Sequence, residues 1–119
     1  MFAVGPATGV HLATGVTDLR KGFNGLLALI QYSLNRDPLS GSEAFVFCNR
    51  RRDTVKIFFA ERDGMWVCAK RLSGGRYRWP MAGEAVVTMT ATELAMLLSG
   101  IDLRGARRRK SWHDRVINH

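Results

Sequence analysis

The hydrophobic pattern of this chain changes its period once, and this change constrains the fold more than any other feature. From residue 17 to 34, apolar side chains recur at the spacing of one helix face: Leu19, Phe23, Leu26, Leu27, Ile30 and Leu34. That spacing predicts an amphipathic helix. From residue 43 to 80, short apolar runs are separated by polar turns, which predicts β-strands.

The ends of the first helix are predicted from local signals. Thr17 is a candidate N-cap, and Asp18 suits the positive end of the helix dipole. Pro38 disfavours helical backbone at Asp37, so the helix should end before it. A second helix should begin at Thr90, where Glu93 completes a capping box, and end at Gly100.

The strands should form an antiparallel meander. The expected strands are 10–14, 44–48, 54–60, 65–72 and 76–79, the first of them short, with turns at Asn49–Asp53, Glu61–Gly64 and Ser73–Gly75. We therefore expect a single α+β domain over residues 1–103: a mainly antiparallel meander sheet of four or five strands, with two helices packed on one face. Residues 104–119 should form a basic, flexible tail.

The turn after Ala60 sets the register. If Ala60 pairs with Met65, one face carries Val55, Ile57, Phe59, Trp66, Cys68, Tyr77 and Trp79. The other face then carries Lys56, Phe58, Val67, Ala69, Arg71, Arg76 and Arg78. The first should be an aromatic core under the helices, and the second a basic surface facing water.

The charge balance points to a polyanionic partner. The chain of 119 residues has 18 Lys and Arg against 10 Asp and Glu, a net charge of +8, and its pI is about 10.5, which is typical of nucleic-acid-binding domains. The candidate DNA contacts are Arg50, Arg51, Arg52, Lys56, Arg71, Arg76, Arg78, Arg107, Arg108, Arg109 and Lys110. The alternative is an ordinary solvated sheet face.

No residue pattern predicts catalysis, a metal site or a cofactor. Cys48 and Cys68 share no spacing with a histidine and are expected to be buried free thiols. The aspartates do not converge at helix or strand spacing, and most occupy turns. Trp66, Tyr77 and Trp79 should be core residues, whereas Trp112 is available to stack on a base or to anchor a partner protein. Without a readable signal peptide or membrane span, the expected location is the cytoplasm.

The motifs resemble a known family, the small accessory protein of the insertion-sequence-sixty-six family of bacterial transposable elements. The matching stretches are Thr17–Phe23, Arg36–Gly41, Phe45–Phe47, Arg50–Asp53 with Lys56, Lys70–Leu72, Gly75–Tyr77, Trp79–Pro80, Leu97–Leu98 and Gly100–Asp102. The resemblance implies a protein encoded beside a larger transposase and needed for efficient transposition, in a family not known to carry a catalytic site.

Charge and resemblance together predict a non-enzymatic accessory factor of DNA transposition that contacts DNA, the transposase or both. The alternative is a module that binds acidic surface of the transposase without touching DNA. We expect no membrane partner. If the strand that ends at Trp79 and Pro80 lies on a sheet edge, it could pair with a strand of a second copy of the chain.

Overall fold

The computed structural model describes residues 8–39 and 43–100. The strands are β1 (Gly9–Ala13), β2 (Glu43–Cys48), β3 (Thr54–Glu61), β4 (Gly64–Arg71) and β5 (Val86–Met89). Helix α1 (Phe23–Ala28) continues as a π-helical turn, Leu29–Ser33, and helix α2 is Ala91–Leu98. The predicted α+β class is confirmed. The predicted tail, and the domain boundary before it, lie outside the described residues.

One five-stranded sheet holds the elements together, in the order β4-β3-β2-β1-β5. The β2-β3-β4 meander is antiparallel, as predicted. The β1–β2 pair is parallel, which the sequence analysis missed. A parallel pair needs a crossover of a dozen or more residues, and α1 lies in the crossover.

Strand β2 is the centre of the molecule because both its faces are buried. Ala44, Val46 and Cys48 belong to one apolar cluster, and Phe45 and Phe47 belong to the other. All five are at most 1% exposed. A near-continuous apolar run of this kind is typical of a strand covered on both sides.

The two helices cover opposite faces, so the prediction that both pack on one face is wrong. Leu94 and Leu97 of α2 pack in the cluster with Val46. Leu26 of α1 and Ile30 of the π-helical turn pack in the cluster with Phe45. The physical reason is the two-sided β2, since each of its apolar faces needs a covering layer. The chain therefore forms three layers.

The first helix begins later than its apolar spacing suggests. Gly22 is its N-cap, in extended conformation. Asp18 Oδ1 accepts from the Arg20 backbone N–H at 3.0 Å, so residues 18–20 form a side-chain-closed turn and not a helical one. Thr17 N–H donates to Cys48 O at 2.8 Å, which holds the preceding loop at the end of β2. The helix ends before Asn35, whose φ of 54° is left-handed.

The predicted register between β3 and β4 is confirmed. Ala60 pairs with Met65, and Phe59 pairs with Trp66. The predicted strand 76–79 is wrong, since these residues pair in no described strand. The segment is nevertheless anchored to the fold. Trp79 Nε1–H donates to Ala13 O at 2.9 Å, and Pro80 O accepts from Gly15 N–H at 2.9 Å.

A buried histidine ties three strands together. His11 on β1 is 5% exposed. Its Nδ1 lies 3.0 Å from Thr88 Oγ1 of β5, and its Nε2 lies 3.1 Å from Glu43 Oε1 of β2. Both ring nitrogens therefore have partners, which removes most of the cost of burying the ring.

The start of α2 follows the predicted capping box. Thr90 Oγ1 accepts from Glu93 N–H at 3.1 Å, and Glu93 Oε1 accepts from Thr90 N–H at 3.1 Å. Gly100, just past the helix, has φ 79°, as its predicted terminating role requires.

Replacement of Thr90 by alanine should lower the free energy of unfolding by about 1 kcal/mol. The reason is that the lost hydroxyl accepts from Glu93 N–H and donates to Glu93 Oε1. Thr92→Ala, inside the same helix and exposed, is the matched control and should be neutral or slightly stabilising. Urea unfolding followed by circular dichroism measures both, and equal destabilisation by the two variants would contradict the capping role.

Candidate nucleic-acid interface

The turn between β2 and β3 is built by Asn49 and Asp53. Asn49 Nδ2 donates to Asp53 Oδ1 at 2.8 Å, and Asn49 Oδ1 accepts from the backbone N–H groups of Asp53 and Thr54 at 3.2 Å each. These bonds close the loop from within, so the residues between them are held outward. Those residues are Arg50, Arg51 and Arg52.

Hydrogen bonds fix the charge state of this turn. The Asn49 amide, and after it the Thr54 hydroxyl, lowers the pKa of the Asp53 carboxyl, and the nearby Arg51 guanidinium acts in the same direction. The carboxylate is therefore engaged in holding the turn.

Arg52 occupies a backbone conformation that side chains rarely adopt. Its φ is 59°, in the left-handed region where glycine is the usual residue. Its backbone is held on both sides, because its N–H donates to Asn49 O at 3.1 Å and its carbonyl accepts from Tyr77 N–H at 2.6 Å. The fold thus keeps an arginine where a glycine would be less strained.

Two further basic segments meet this turn. Arg71, the last residue of β4, pairs with Thr54, and Lys70 pairs with Val55. Leu72 N–H donates to Asp53 O at 2.8 Å, next to the Tyr77 bond to Arg52. Strand pairing and these bonds bring residues 70–78 to the end of the sheet where the arginine turn lies.

We call this region the basic end. Its residues are Arg50, Arg51, Arg52, Lys70, Arg71, Arg76 and Arg78. All are exposed except Arg52, which is partly exposed. More than half of the lysines and arginines in the described ranges belong to it. These residues come from three separate stretches of sequence, 50–52, 70–71 and 76–78, so no single stretch predicts the whole surface.

The predicted basic sheet face is not the surface that forms. Phe58 is fully buried there, under α1. Lys56 lies on that face between Phe47 and Ala69, and its Nζ donates to Lys21 O at 3.4 Å. The positive charge gathers at the end of the sheet because the apolar residues of the face require a cover, whereas the strand ends do not.

Lys70 is a member of the basic end that sequence analysis missed. The predicted register places it opposite Val55, on the face assigned to the core. Its side chain is nevertheless exposed, and Nζ donates to Leu98 O at 3.0 Å. The sequence does contain a signal for Lys70, because this residue directly precedes Arg71, which is one of the predicted DNA contacts.

The Lys70 bond also brings the end of α2 to this region. The described residues end at Gly100, two residues after Leu98. The predicted contacts Arg107, Arg108, Arg109 and Lys110 follow in sequence and lie outside the described residues.

Two acids of the described ranges, Asp18 and Asp53, are held by partners of their own. The Arg20 side chain, which is not part of the basic end, is paired with Asp18 at 2.8 Å, and this hydrogen bond holds the pKa of the Asp18 carboxyl well below its usual range. The nearest acid in sequence to the arginine turn is Asp53, which is bound to Asn49 and Thr54.

The predicted core role of the aromatic residues is confirmed for two of three. Tyr77 and Trp79 are 1% and 5% exposed, whereas Trp66 is 41% exposed on the edge strand. Arg76 and Arg78 alternate with these two buried rings, so the segment directs its aromatics inward and its arginines outward. A stacking platform of exposed rings is absent from the described part of the basic end.

The cysteines belong to the sheet. Cys48 is buried beside Val55, whereas the partly exposed Cys68 pairs with Ile57, and both thiols are free. Burial raises the pKa of Cys48 to about 11, so the thiol stays protonated at neutral pH. Among residues 8–39 and 43–100, histidine, cysteine and acidic side chains do not cluster as a metal site would require.

The described helices are too short or too polar to cross a bilayer. Fold and charge together define a small α+β protein with an arginine-rich sheet end. The chain belongs to the family described as IS66 Orf2 like protein, which it matches over residues 8–108. This membership associates it with insertion sequences and their transposition, and the family is not a known enzyme family.

Two relatives from Sinorhizobium fredii match most of the chain. Uncharacterized protein y4hO is 38% identical over 104 residues, which cover 87% of this chain and 90% of the relative. Uncharacterized protein y4jC is 32% identical over 108 residues, with 89% and 92% covered. No solved structure shows a significant match.

Asn49→Ala should lower the free energy of unfolding by about 1–2 kcal/mol, because the Asp53 and Thr54 groups that bond to the amide lose their partner. Urea unfolding at neutral pH measures the loss. A loss no larger than that of an exposed control such as Asn24→Ala would contradict the structural role of the turn.

The same variant should change the response to acid. A carboxyl whose pKa is lowered by folding stabilises the folded state above its unfolded pKa, about 3.9, and loses that contribution as the pH falls through the folded value. We therefore expect the urea midpoint of Asn49→Ala to fall less steeply on acidification than that of the parent chain. Parallel curves would contradict the assignment.

Proposed function

We propose that this protein is a non-enzymatic accessory factor of IS66 transposition that binds duplex DNA through the basic end. The observation that carries the proposal is the convergence of residues 50–52, 70–71 and 76–78 on one end of the sheet. Family membership supplies the transposition context.

The chemistry of the basic end suits phosphate. Guanidinium groups present several N–H donors in a rigid plane and bind phosphate oxygens through paired hydrogen bonds. Six of the seven residues of the basic end are arginines. They lie on a rigid frame, because their backbones are tied to β2, β3 and β4. Exposed charge on a fixed frame is suited to a fixed row of phosphates.

Contact with the DNA backbone, without reading of bases, is the mode we propose. Tyr77 and Trp79, the aromatic rings of this region, are buried in the core, so they do not supply the base-stacking surface of single-strand binders. Phosphate contacts position a protein on a duplex but carry no sequence information. Affinity should therefore be similar for element ends and for random duplex.

The strained Arg52 supports the same conclusion. An L-residue in the left-handed region costs about 1–2 kcal/mol, and the sequence places an arginine there where glycine would relieve the strain. Strained backbone positions cluster at functional sites, and the strained residue here carries the positive charge that a phosphate contact requires.

Residues 104–110 extend the proposed contact. The chain runs towards them from Gly100, and Lys70 bonds to the last turn of α2 beside that point. We therefore include Arg107, Arg108, Arg109 and Lys110 in the proposed interface. Lys56 takes part from the side of α1.

The proposed role places the protein in the bacterial cytoplasm, with the element's DNA, and assigns no catalytic step to it. The transposase is the proposed protein partner. Binding to purified transposase that persists after nuclease treatment, with no affinity for free duplex, would favour the protein-only alternative over the one proposed here.

The direct test compares two double variants that remove the same charge. Arg50→Ala with Arg51→Ala removes two residues of the basic end, whereas Arg36→Ala with Arg62→Ala removes two exposed arginines from other parts of the surface. Each lost phosphate contact should make the slope of log affinity against log salt shallower by about 0.9. The first variant should therefore lose about 1.8 of slope, and the second close to none.

Fluorescence anisotropy with a labelled duplex measures both slopes, on an element end and on a random sequence of equal length. Binding should be strongest at ~50 mM salt, where the phosphate contribution is largest. No binding by the parent chain there, or equal losses in the two variants, would refute the proposed interface.

Arg52→Gly should change stability and binding in opposite directions. Glycine relieves the left-handed backbone, so the free energy of unfolding should rise by about 0.5–1 kcal/mol, while DNA affinity falls with the loss of one charge. Arg50→Gly is the matched control and should weaken binding without stabilising the fold. If Arg52→Gly leaves affinity unchanged, this arginine has no part in binding.

A further inference from the structure

The sheet has two edge strands, and only one of them is short enough to resist pairing with a further strand. Strand β5 has four residues, whereas β4 has eight. Among the described residues neither strand has a neighbour on its outer side. A long edge strand presents a row of backbone donors and acceptors that a second strand can pair with, and proteins usually interrupt such a strand with proline, a bulge or central charges.

Strand β4 carries none of these interruptions. Its middle residues, Met65–Ala69, are uncharged and apolar, and its charged residues stand at the carboxyl end. Trp66 in this stretch is 41% exposed. The edge is therefore a suitable template for strand pairing.

The backbone direction at this edge follows from one bond. Leu72 N–H donates to Asp53 O, and the direction of backbone groups alternates along an antiparallel strand. Leu72 and the even-numbered residues before it therefore face β3. Met65, Val67, Ala69 and Arg71 present their N–H and C=O groups to the free edge.

The charges at the two ends of β4 are complementary. The β3–β4 turn at its start holds Glu61 and Asp63, and its carboxyl end holds Lys70 and Arg71. An antiparallel copy of the same strand would place the basic end of each β4 beside the acidic turn of the other. The basic segment that follows Gly100 has the wrong charge to lie along Lys70 and Arg71, so a second copy fits this edge better.

We propose that two copies of this chain pair through β4, around a two-fold axis at Val67, to form one continuous ten-stranded sheet. In this register Met65 lies opposite Ala69 of the second copy, and Asp63 lies opposite Arg71. Symmetry makes each contact occur twice. The two arginine turns then lie at opposite ends of the joined sheet, facing away from each other.

A charge exchange tests the pairing on the full chain in the absence of DNA. Asp63→Lys places a lysine opposite Arg71 at two symmetric positions, and the dissociation constant of the dimer should rise about tenfold. Arg71→Glu should do the same by facing Asp63. The double variant restores opposite charges and should recover dimerisation, whereas Glu84→Lys, an exposed change of the same kind elsewhere, should have no effect.

Ala69→Pro provides a second test that does not depend on charge. Residue 69 is exposed and directs its N–H away from β3, so proline there removes a donor from the free edge and spares the β3–β4 bonds. Circular dichroism should report a folded protein, and sedimentation velocity a monomer.

Sedimentation velocity at rising concentration decides the outcome for each variant. A parent chain that remains a monomer at the highest concentration at which it stays in solution would overturn the proposal. A dimer that neither Asp63→Lys nor Ala69→Pro weakens would also overturn it, because another surface would then hold the copies together. These results are independent of DNA binding, so either proposal can fail alone.

Discussion

The burial of β2 on both faces is the constraint on which the rest of the structure depends. Its five apolar residues from Ala44 to Cys48 are all nearly inaccessible to water, and each face requires its own cover. This requirement sends α1 to one side and α2 to the other, and it leaves the strand ends as the surface available to charged residues. The location of the basic end is thus a consequence of how the core is closed.

Presenting charge at the sheet end has a physical advantage. The turn that presents Arg50, Arg51 and Arg52 is closed by hydrogen bonds of Asn49 and Asp53 and not by core packing, so its arginines are free of the core's packing demands. The segment after β4 serves both purposes, because Tyr77 and Trp79 seal the core while Arg76 and Arg78 point outward. Stability and charge presentation therefore use alternate residues of the same stretch.

Local signals in the sequence predicted much of this fold. The β3–β4 register and the Thr90–Glu93 capping box are confirmed because each depends on residues close in sequence. The parallel pairing of β1 with β2 and the opposite placement of the helices were missed, since both depend on what covers the second face of β2. The Thr88–His11–Glu43 contacts carry no local signal, because they join residues that only the tertiary fold brings together.

The same distinction explains the candidate site. The arginine turn was visible in the sequence, but its association with residues 70–78 depends on the Leu72 and Tyr77 backbone bonds. The sequence analysis placed the charge on a sheet face because alternation alone assigns each residue to one side or the other. Alternation gives no information about the end of a sheet, where residues of both faces meet. Lys70, on the core-facing side of its strand, was omitted for this reason.

Backbone amide chemical shifts of the full chain, followed during titration with a short duplex, test the central claim most directly. The account predicts that the largest changes fall at residues 49–53, 70–72 and 76–78, on three separate stretches that only the fold unites. Changes confined to the opposite end of the sheet around residues 61–64, or no changes in any of the three stretches when duplex is in excess at low salt, would contradict it.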